Sequence, residues 1–479
     1  MGSPYESLLK STRQHYHQRI AQVLATQFSE TTEAQPELLA HHYTEAGLIE
    51  QSIASWQKAG QRAMERSAHV EAIAHLRQGL ELLKTLPETP DRTQHDVDMH
   101  IALGTALRVT KGQAAPEVGE VFLYAQQRCT PLEESQRLFP VLRGLCSYYA
   151  TRAEYQTAYA LGEQLLALAQ HTQDPAMLMA AHRALGSTGM YLGTAVSAQT
   201  HFTQGITLYD AQQPRPSVFL YGEDTGVICR SYSALVLWSL GYPDQALARN
   251  QEAVTLAQEM AHPPSWGYVL SAAALLHQYR REAHGTQERA EAIIRLAQEQ
   301  GFRFWLAFGS MLCGWVLAQQ GHATDGIEQL TAGLRAFRAT GAEIRRPYFL
   351  ALLAEAYGIM RQPEAGLTAL AEALALVDAT GERRYEPELY RLKGELLLQQ
   401  HANHQTEAES CFHHALAIAR DQQAKPFELR TATSLARLWQ QQGKRQKAHD
   451  LLAPVYQWFT EGLDTADLQD AKALLEALA

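Results

Sequence analysis

Side chains that bind metal ions are common in this chain, which has 20 histidines and five cysteines. Two histidine pairs are adjacent, His41–His42 and His413–His414. Neighbouring side chains on a helix point about 100° apart, so neither pair can hold one zinc ion without a ligand from elsewhere. The stretch His69-Val70-Glu71 matches half of a zinc deaminase signature, but no Pro-Cys-x-x-Cys follows it and HExxH is absent. We therefore expect no metal site.

Phosphate-binding and nucleophile motifs are also missing. The GxxxxGK[ST] loop that cradles nucleotide phosphates does not occur, and the only Gly-Lys pair, Gly443-Lys444, has Leu438 where the first glycine would be needed. No GxSxG elbow is present. Cys/His and Ser/His partners can still meet in space, which spacing alone does not exclude. We expect no catalytic residues, no cofactor and no enzymatic activity.

Charge and cysteine usage restrict the partners and the compartment. The formal net charge is −10 and no run of basic residues offsets it, so we expect no nucleic-acid binding. The odd number of cysteines contains no CxxC pair, which favours a reducing cytosol over a disulfide framework. The N-terminus lacks the apolar segment of a secretory signal. These features predict a cytoplasmic protein.

The elements that carry these side chains repeat along the chain. Nine segments place a small residue four positions before one apolar residue and seven or eight before another. The small residues are Ala72, Ala158, Ala198, Ala246, Ala290, Gly326, Gly366, Ala408 and Ala448. Their spacing of about 40 residues is typical of solenoids built from helical repeats.

A second small residue usually stands 12 positions before each of these, as Gly314 does before Gly326. Small residues at matched heights let two antiparallel helices approach closely across a short turn. The order of Trp315, Gly321, Gly326, Leu330 and Phe337 resembles the tetratricopeptide (TPR) repeat, although repeats of 40 or more residues exceed the usual 34. The expected fold is all-α: a TPR-like α-solenoid, a right-handed superhelix of antiparallel helical hairpins.

An uncharged stretch at residues 304–324 reads at first like a membrane span. Its apolar part, Phe304 to Ala318, has only 15 residues, fewer than the roughly 18 to 20 that a bilayer needs. The inner helix of a middle repeat is apolar nearly all round because neighbouring hairpins cover it. We therefore expect a buried helix and no membrane span.

The first helix of each hairpin should line the concave face of a solenoid, where partners bind. Positions just before, one after, and four or five after the small residue of that helix are expected to face this groove. They are Arg143, Arg183, Tyr191, Trp238, Met311, Trp315, Glu355 and Arg437. Arginine and aromatic residues dominate binding hot spots, although core packing or solvation remains an alternative for any single member.

An irregular stretch at residues 210–232 interrupts the helical pattern with two prolines and two glycines. A loop of this length inside a compact array is either functional or a simple connection. Tyr221, Glu223 and Asp224 could contact a ligand in the groove. The alternative is a surface crossing between repeats.

A narrower resemblance covers nearly the whole chain. The stretches at 5–24, 36–87, 229–247, 346–358, 385–398 and 464–478 resemble the C-terminal region of bacterial STAND-type AAA+ ATPase regulators, some of which carry an adenylate or guanylate cyclase domain. The resemblance implies an N-terminal helix at 1–35 like the linker after the ATPase module, TPR-like repeats at 36–210, the irregular loop at 211–232, further repeats at 233–462, and a capping helix at 463–479.

The resemblance also implies a function. It predicts a non-enzymatic arm that binds a protein, a peptide or a small signalling ligand in its groove and serves an ATPase or cyclase output domain, either in the same chain or in another. An oligomerisation scaffold and the sensor arm of a transcriptional activator are alternatives. Neither the ligand nor the output domain follows from the sequence.

Overall fold

The computed structural model describes residues 9–129, 135–209 and 221–479, and all regular structure in these ranges is helical. The helices, in chain order, are α1 Lys10–Gln27, α2 Ser29–Ala34, α3 Pro36–Ala46, α4 Ile49–Glu65, α5 His69–Leu83, α6 Pro90–Lys111, α7 Pro116–Arg128, α8 Ser135–Thr151, α9 Tyr155–Thr172, α10 Pro175–Tyr191, α11 Ala195–Thr207, α12 Thr225–Ser239, α13 Pro243–Met260, α14 Pro263–Tyr279, α15 Ala283–Gln300, α16 Arg303–Gln319, α17 Ala323–Arg338, α18 Arg346–Ile359, α19 Pro363–Thr380, α20 Glu386–Gln400, α21 Gln405–Asp421, α22 Lys425–Gln441, α23 Arg445–Gln457 and α24 Ala466–Leu478. A short 3₁₀ helix spans Ala402–His404. The predicted all-α class is confirmed.

Consecutive helices pack as pairs, as the repeat pattern predicts. The pairs are α4 with α5, α6 with α7, α10 with α11, α12 with α13, α14 with α15, α16 with α17, α18 with α19, α20 with α21, and α22 with α23. Each first helix also contacts the first helix of a neighbouring pair, for example α16 with α18 and α20 with α22. From α10 to α22 the first helices therefore form a continuous layer that carries side chains from successive repeats.

Small residues set the distance between paired helices. A methyl group added at Gly326 of α17 would lie 2.5 Å from the carbonyl oxygen of Gly314 in α16. The same methyl would lie 2.9 Å from the backbone nitrogen of Ala318. Because backbone atoms cannot move aside as a flexible side chain can, this crossing requires glycine.

The turn between α16 and α17 is closed by Gly321, whose φ of 92° lies in the left-handed region. The next amide, of His322, donates to the carbonyl of Leu317 at 2.9 Å. Arg361 occupies the corresponding place between α18 and α19 with a φ of 57°, although only glycine adopts this conformation without steric cost.

The apolar stretch that begins at Phe304 forms α16, and its large side chains are buried. Trp305, Phe308 and Trp315 are at most 9% exposed. Phe308 packs edge-on against Phe349 of α18, with ring centroids 5.4 Å apart. Within the described ranges, every helix is too short or too polar to cross a membrane.

The chain separates into two compact units. The first consists of Met1–Leu145 with Arg215–Gly222, and the second of Cys146–Pro214 with Glu223–Ala479. In the first unit, Phe122 of α7 is buried between Gly104 of α6 and Gly144 of α8, where an added methyl group would contact its ring. Nearly all the predicted groove residues lie in the second unit.

Backbone hydrogen bonds in the second unit connect hairpins that are far apart in sequence. The carbonyl of Thr151 accepts from the amides of Glu343 and Ile344, at 3.0 and 3.1 Å. The carbonyl of Tyr191, at the end of α10, accepts from the amide of Arg384 at 3.2 Å. The segments before α18 and α20 are thus attached to hairpins that precede them by about 190 residues.

The predicted segment boundaries stay predictions, but several can be placed. Residues 1–8 and 210–220 lie outside the described residues, so the irregular segment 211–232 is described only from Tyr221 onward. Helix α12 begins within that segment, at Thr225. Helix α24 lies within the predicted cap 463–479 and packs against α22 and α23.

Candidate functional site

A polar cavity of about 150 Å³ opens among the first helices of the C-terminal hairpins in the second unit. Side chains from α14, α16, α18, α20, α22 and α24 and from the turns beside α14 and α20 surround it. The lining residues are Gln278, Arg281, Trp315, Glu355, Tyr385, Glu388, Arg391, Arg430, Thr433, Ser434, Arg437, Asp467 and Asp470. Three of the predicted groove residues, Trp315, Glu355 and Arg437, meet here.

The repeat register explains why these three residues converge. Each directly follows the small residue of its first helix, since Trp315 follows Gly314 and Glu355 follows Ala354. Equivalent positions on stacked first helices point to the same side of the layer. The sequence pattern therefore places one side chain per hairpin along the cavity.

Arginines and carboxylates form a dense network across the cavity. The Nε of Arg430 in α22 donates to Asp467 of α24 at 2.7 Å, and its Nη2 donates to the carbonyl of Tyr279. Arg391 donates through Nε and Nη2 to the two carboxylate oxygens of Glu388, at 2.9 and 2.8 Å. Such two-point contacts fix both partners in one geometry. The cavity wall is therefore held by pairs that cross several hairpins.

Glu388 stays ionised inside this network. Burial raises the pKa of its carboxyl, but the charges of Arg391 and Arg430 outweigh burial and lower the pKa to about 2. The side chain is only 4% exposed. A buried carboxylate persists in this form because it is paired and hydrogen-bonded.

Glu355 is in a different situation. Its two carboxylate oxygens accept from neutral donors, Trp315 Nε1 and Gln319 Nε2, each at 3.0 Å. Among the described residues, no cationic side chain comes within 4.0 Å of it. Burial raises the pKa of Glu355 and the charge of Glu388 raises it further, while the hydrogen bond from Trp315 and the charges of Arg391 and Arg430 lower it. The net shift is upward.

A second hollow, of about 370 Å³, continues from the cavity along α18 and α20. The two spaces share Glu355 and Arg391. Its remaining lining is largely apolar and belongs to Ala354, Gly358, Ile359, Leu392 and Leu396, with Arg361, Glu395 and Gln399 at its margins. Charged and apolar surfaces thus adjoin at Glu355.

Four other predicted groove residues in the second unit are buried away from this cavity. Arg183 forms an ion pair with Glu223 at 3.0 Å, and Tyr191 stacks on Tyr155 with ring centroids 5.3 Å apart. Trp238 stacks on Tyr279 at 4.7 Å, and Met311 has no exposed surface. These side chains serve the packing between hairpins in the structure.

The predicted loop residues also have structural contacts. Glu223 is the partner of Arg183, and the carboxylate of Asp224 caps α12 by accepting from the amide of Val227 at 2.8 Å. In the first unit, the guanidinium carbon of Arg143 lies 6.0 Å from the ring centroid of Tyr221. Arg143 is completely buried.

Several cavity residues were not predicted from the sequence. Glu388, Arg391 and Arg430 lie three to six residues before the small residues Gly394 and Ala436 of their helices, which is one or two turns earlier than the positions chosen. These charged residues stand in the first half of a mostly apolar inner helix, and that pattern could have indicated a polar site. Arg281 lies in a turn and Asp467 in the last helix, and no sequence pattern marked either residue as part of the site.

A second polar cluster lies deeper in this unit, around Arg345. Its guanidinium carbon is 5.4 Å from the ring centroid of Tyr191 and 5.7 Å from that of Phe308. Its backbone amide donates to Glu382 at 3.0 Å, and the hydroxyl of Tyr155 donates to the same carboxyl at 2.6 Å. Cation–π contacts replace ion pairing for this buried arginine.

Histidine rings lie close to one another in both units. His17 lies beside His41 and His42, with ring centroids 5.8 and 5.0 Å apart. Across the part of the chain that the structure describes, no three histidine, cysteine, aspartate or glutamate side chains are placed to hold an ion.

Comparison with known proteins identifies a relative by sequence. No family model matches the chain. It is similar to an uncharacterized protein of Rhizobium meliloti (strain 1021), with 22% identity over 438 residues, which are 91% of this chain and 42% of that protein. The chain thus spans less than half the length of this relative.

Solved structures share the fold. The Rap protein in complex with competence and sporulation factor superimposes with a TM-score of 0.57, at 11% identity, and covers 78% of this chain and 98% of that chain. The Cut9–Hcn1 hetero-tetramer of the APC/C gives a TM-score of 0.52, at 11% identity, and covers 96% of this chain and 86% of that chain. These similarities confirm the predicted TPR-like α-solenoid and, at such identities, concern the fold alone.

Proposed function

We propose that this chain is the non-enzymatic binding arm of a bacterial STAND-type signalling regulator. It takes a protein or peptide partner in the cavity and hollow beside Glu355 and serves an ATPase or cyclase output domain. The observation that carries the proposal is the convergence of Trp315, Glu355 and Arg437, from three hairpins, on one partly open space. Convergent polar groups next to apolar surface are typical of binding sites.

The mechanism follows from the way in which the cavity is built. Its walls belong to hairpins that are joined by ion pairs such as Arg430–Asp467, so an occupant contacts several repeats at once. A partner that prefers one arrangement of these repeats shifts the equilibrium toward it. The size of the shift cannot exceed the difference between the partner's affinities for the two arrangements.

Peptide binding by the full chain tests the proposal. Peptides selected from a random display library are labelled, and their affinity is measured by fluorescence anisotropy. The variant Ile359→Glu should weaken binding about tenfold, because Ile359 lines the apolar hollow and is 43% exposed. The matched control is Val196→Glu, on the outer helix α11 and 49% exposed, which should leave affinity unchanged. Failure to select any peptide, or equal affinities for the two variants, contradicts the proposal.

Two alternatives predict different results. A pure oligomerisation scaffold should self-associate without a ligand, which size-exclusion chromatography with light scattering detects. The sensor arm of a transcriptional activator would belong to a reading frame that also encodes a DNA-binding module. The STAND regulator requires an ATPase module in the same reading frame or in a neighbouring gene. The relative from Rhizobium meliloti, which extends well beyond the matched region, makes a longer protein the first to examine.

A further inference from the structure

Four arginines and four carboxylates line the cavity, so their formal charges balance, but one carboxylate forms no ion pair with the described residues and identifies the occupant. Each of its four arginines already has acidic partners. The pairs are Arg281 with Asp467 and Asp470, Arg391 with Glu388 and Glu395, Arg430 with Asp467 and Glu388, and Arg437 with Asp470. Glu355 is the lining carboxylate that these arginines leave without a cationic partner among the described residues.

The environment of Glu355 favours the arrival of a cation. Trp315 and Gln319 orient its two oxygens by hydrogen bonds from neutral groups, so the charge is held in place without being neutralised. A half-buried carboxylate in this state has lost part of its hydration without gaining an ion pair, since Arg391 and Arg430 act on it only from beyond 4.0 Å. An ammonium or guanidinium group would supply that charge and further hydrogen bonds.

Apolar surface begins one helical turn away. Ile359 follows Glu355 by four residues on α18, so the two side chains lie on the same face about 6 Å apart. Ile359 is 43% exposed, which is unusual for a large aliphatic side chain in this unit. It lines the hollow together with Leu392 and Leu396 of α20. An aliphatic side chain of a ligand would cover this surface.

The distance between these two features fits an extended peptide. Side chains two residues apart in an extended chain point to the same side and are separated by about 6.6 Å. A cationic side chain on Glu355 therefore places the side chain two positions away over Ile359. Arg361 also lines the hollow and has no ion-pair partner among the described residues, which disfavours a second basic residue there.

We propose that Glu355 recognises a lysine or arginine side chain of an extended peptide whose aliphatic side chain two positions away occupies the hollow beside Ile359 and Leu396. The proposal rests on the peptide-binding function above and adds its specificity. It defines the ligand as a basic-x-aliphatic peptide.

Four pools of fluorescein-labelled hexapeptides, each with random flanking residues, test this specificity on the full chain. Their fixed positions are Lys-x-Leu, Glu-x-Leu, Lys-x-Glu and Ala-x-Leu. We expect the Lys-x-Leu pool to bind about 10- to 100-fold more tightly than the Glu-x-Leu pool, since hydrogen bonds to charged groups are that strong. Glu355→Gln should abolish the preference for lysine over alanine. Glu364→Gln, which removes the same charge from the exposed surface of α19, should keep it.

The outcomes separate the two proposals. Pools that bind equally, or a lysine preference that survives in Glu355→Gln, overturn the basic-x-aliphatic specificity but leave peptide binding intact. Absence of binding to every pool contradicts both. If Glu355→Gln unfolds, Glu355→Asp provides the second variant. It keeps the negative charge and should keep the preference for lysine. Loss of that preference in Glu355→Asp would count against the proposal.

Discussion

Glu382 illustrates, at the scale of a single residue, how a buried carboxyl makes stability depend on pH. It is 3% exposed and accepts from Tyr155 and from the amide of Arg345. Burial raises its pKa from 4.5 to about 7, although both hydrogen bonds and the charges of Arg345 and Arg384 lower it. The folded state therefore binds a proton more tightly than the unfolded chain does. Its stabilising contribution is complete below pH 4.5 and is lost as the pH rises through about 7.

The substitution Glu382→Gln should remove this pH dependence. Between about pH 5 and pH 8, the free energy of unfolding of the unmodified protein should fall relative to that of the variant by about 2 kcal/mol. Urea unfolding at a series of pH values measures the difference. Glu364→Gln, at an exposed position of α19, should run parallel to the unmodified protein. If the stability of Glu382→Gln also changes with pH as that of the unmodified protein does, the Glu382 carboxyl is not the source of the pH dependence.

Glu388 should show the opposite dependence. Its pKa is lowered to about 2 because Arg391 and Arg430 outweigh the effect of burial. Its contribution is therefore present above pH 4.5 and is lost as the pH falls through about 2. We expect Glu388→Gln to lower the free energy of unfolding at neutral pH by about 3 kcal/mol, since it removes the ionised partner that Arg391 and Arg430 share in a buried network. The loss should shrink in acid, and urea unfolding near pH 7 and near pH 3 checks both its size and its sign. A loss that does not change with pH would contradict the assignment.

At the scale of the helical hairpin, the contact between α16 and α17 depends on Gly326. Alanine at this position would gain about 1 kcal/mol in helix propensity, but its methyl group would lie 2.5 Å from the Gly314 carbonyl oxygen. Separating the helices should cost more than this gain, so we expect Gly326→Ala to destabilise the protein by about 1 to 3 kcal/mol.

Gly358→Ala in α18 is the matched control, because its methyl group would meet only the flexible end of Leu396 at 3.1 Å. This variant should be neutral or slightly stabilising. Thermal unfolding of the two variants beside the unmodified protein decides the point. Equal effects at both positions would mean that the helix crossing tolerates a methyl group.

Hairpins are also the level at which sequence was most informative. A small residue every 40 or so positions predicted the paired helices, and the position after it identified Trp315, Glu355 and Arg437 as neighbours in space. Other positions counted from the small residue selected Arg183, Tyr191 and Trp238, which are buried. The spacing of small residues predicts which side chains face one side of the helix layer. It does not predict which later segment of the chain covers that side.

At the scale of the whole molecule, the covering segments come from far along the chain. Arg384 shows this most clearly: its guanidinium donates to the carbonyl of Leu235 at 3.1 Å and to the hydroxyl of Ser239 at 3.2 Å. Trp238 lies between them in sequence and contacts Phe427, with ring centroids 5.5 Å apart. These contacts lie within the second unit and explain why Trp238 is covered.

The variant Arg384→Met should loosen both ends of this contact. It removes the hydrogen bonds that the buried guanidinium donates to Leu235 and Ser239, which we expect to cost about 2 to 4 kcal/mol. Amide hydrogen exchange should rise at the C-terminal turn of α12 as well as before α20. The control Arg383→Met changes an exposed neighbour and should affect neither region. Faster exchange near α20 alone would mean that the distant contact does not couple the two regions.

The long separation between these partners has a consequence during synthesis. Ordinary helical repeats complete their contacts as soon as the next repeat emerges. Here the carbonyl of Thr151 accepts from Glu343, 192 residues later, and the carbonyl of Tyr191 accepts from Arg384, 193 residues later. These bonds form only after the later residues have been synthesised. At about 5 to 20 residues per second, the ribosome leaves Tyr191 and Trp238 uncovered for roughly 10 to 40 seconds. A nascent chain of this kind exposes aromatic surface long enough for chaperones to bind it.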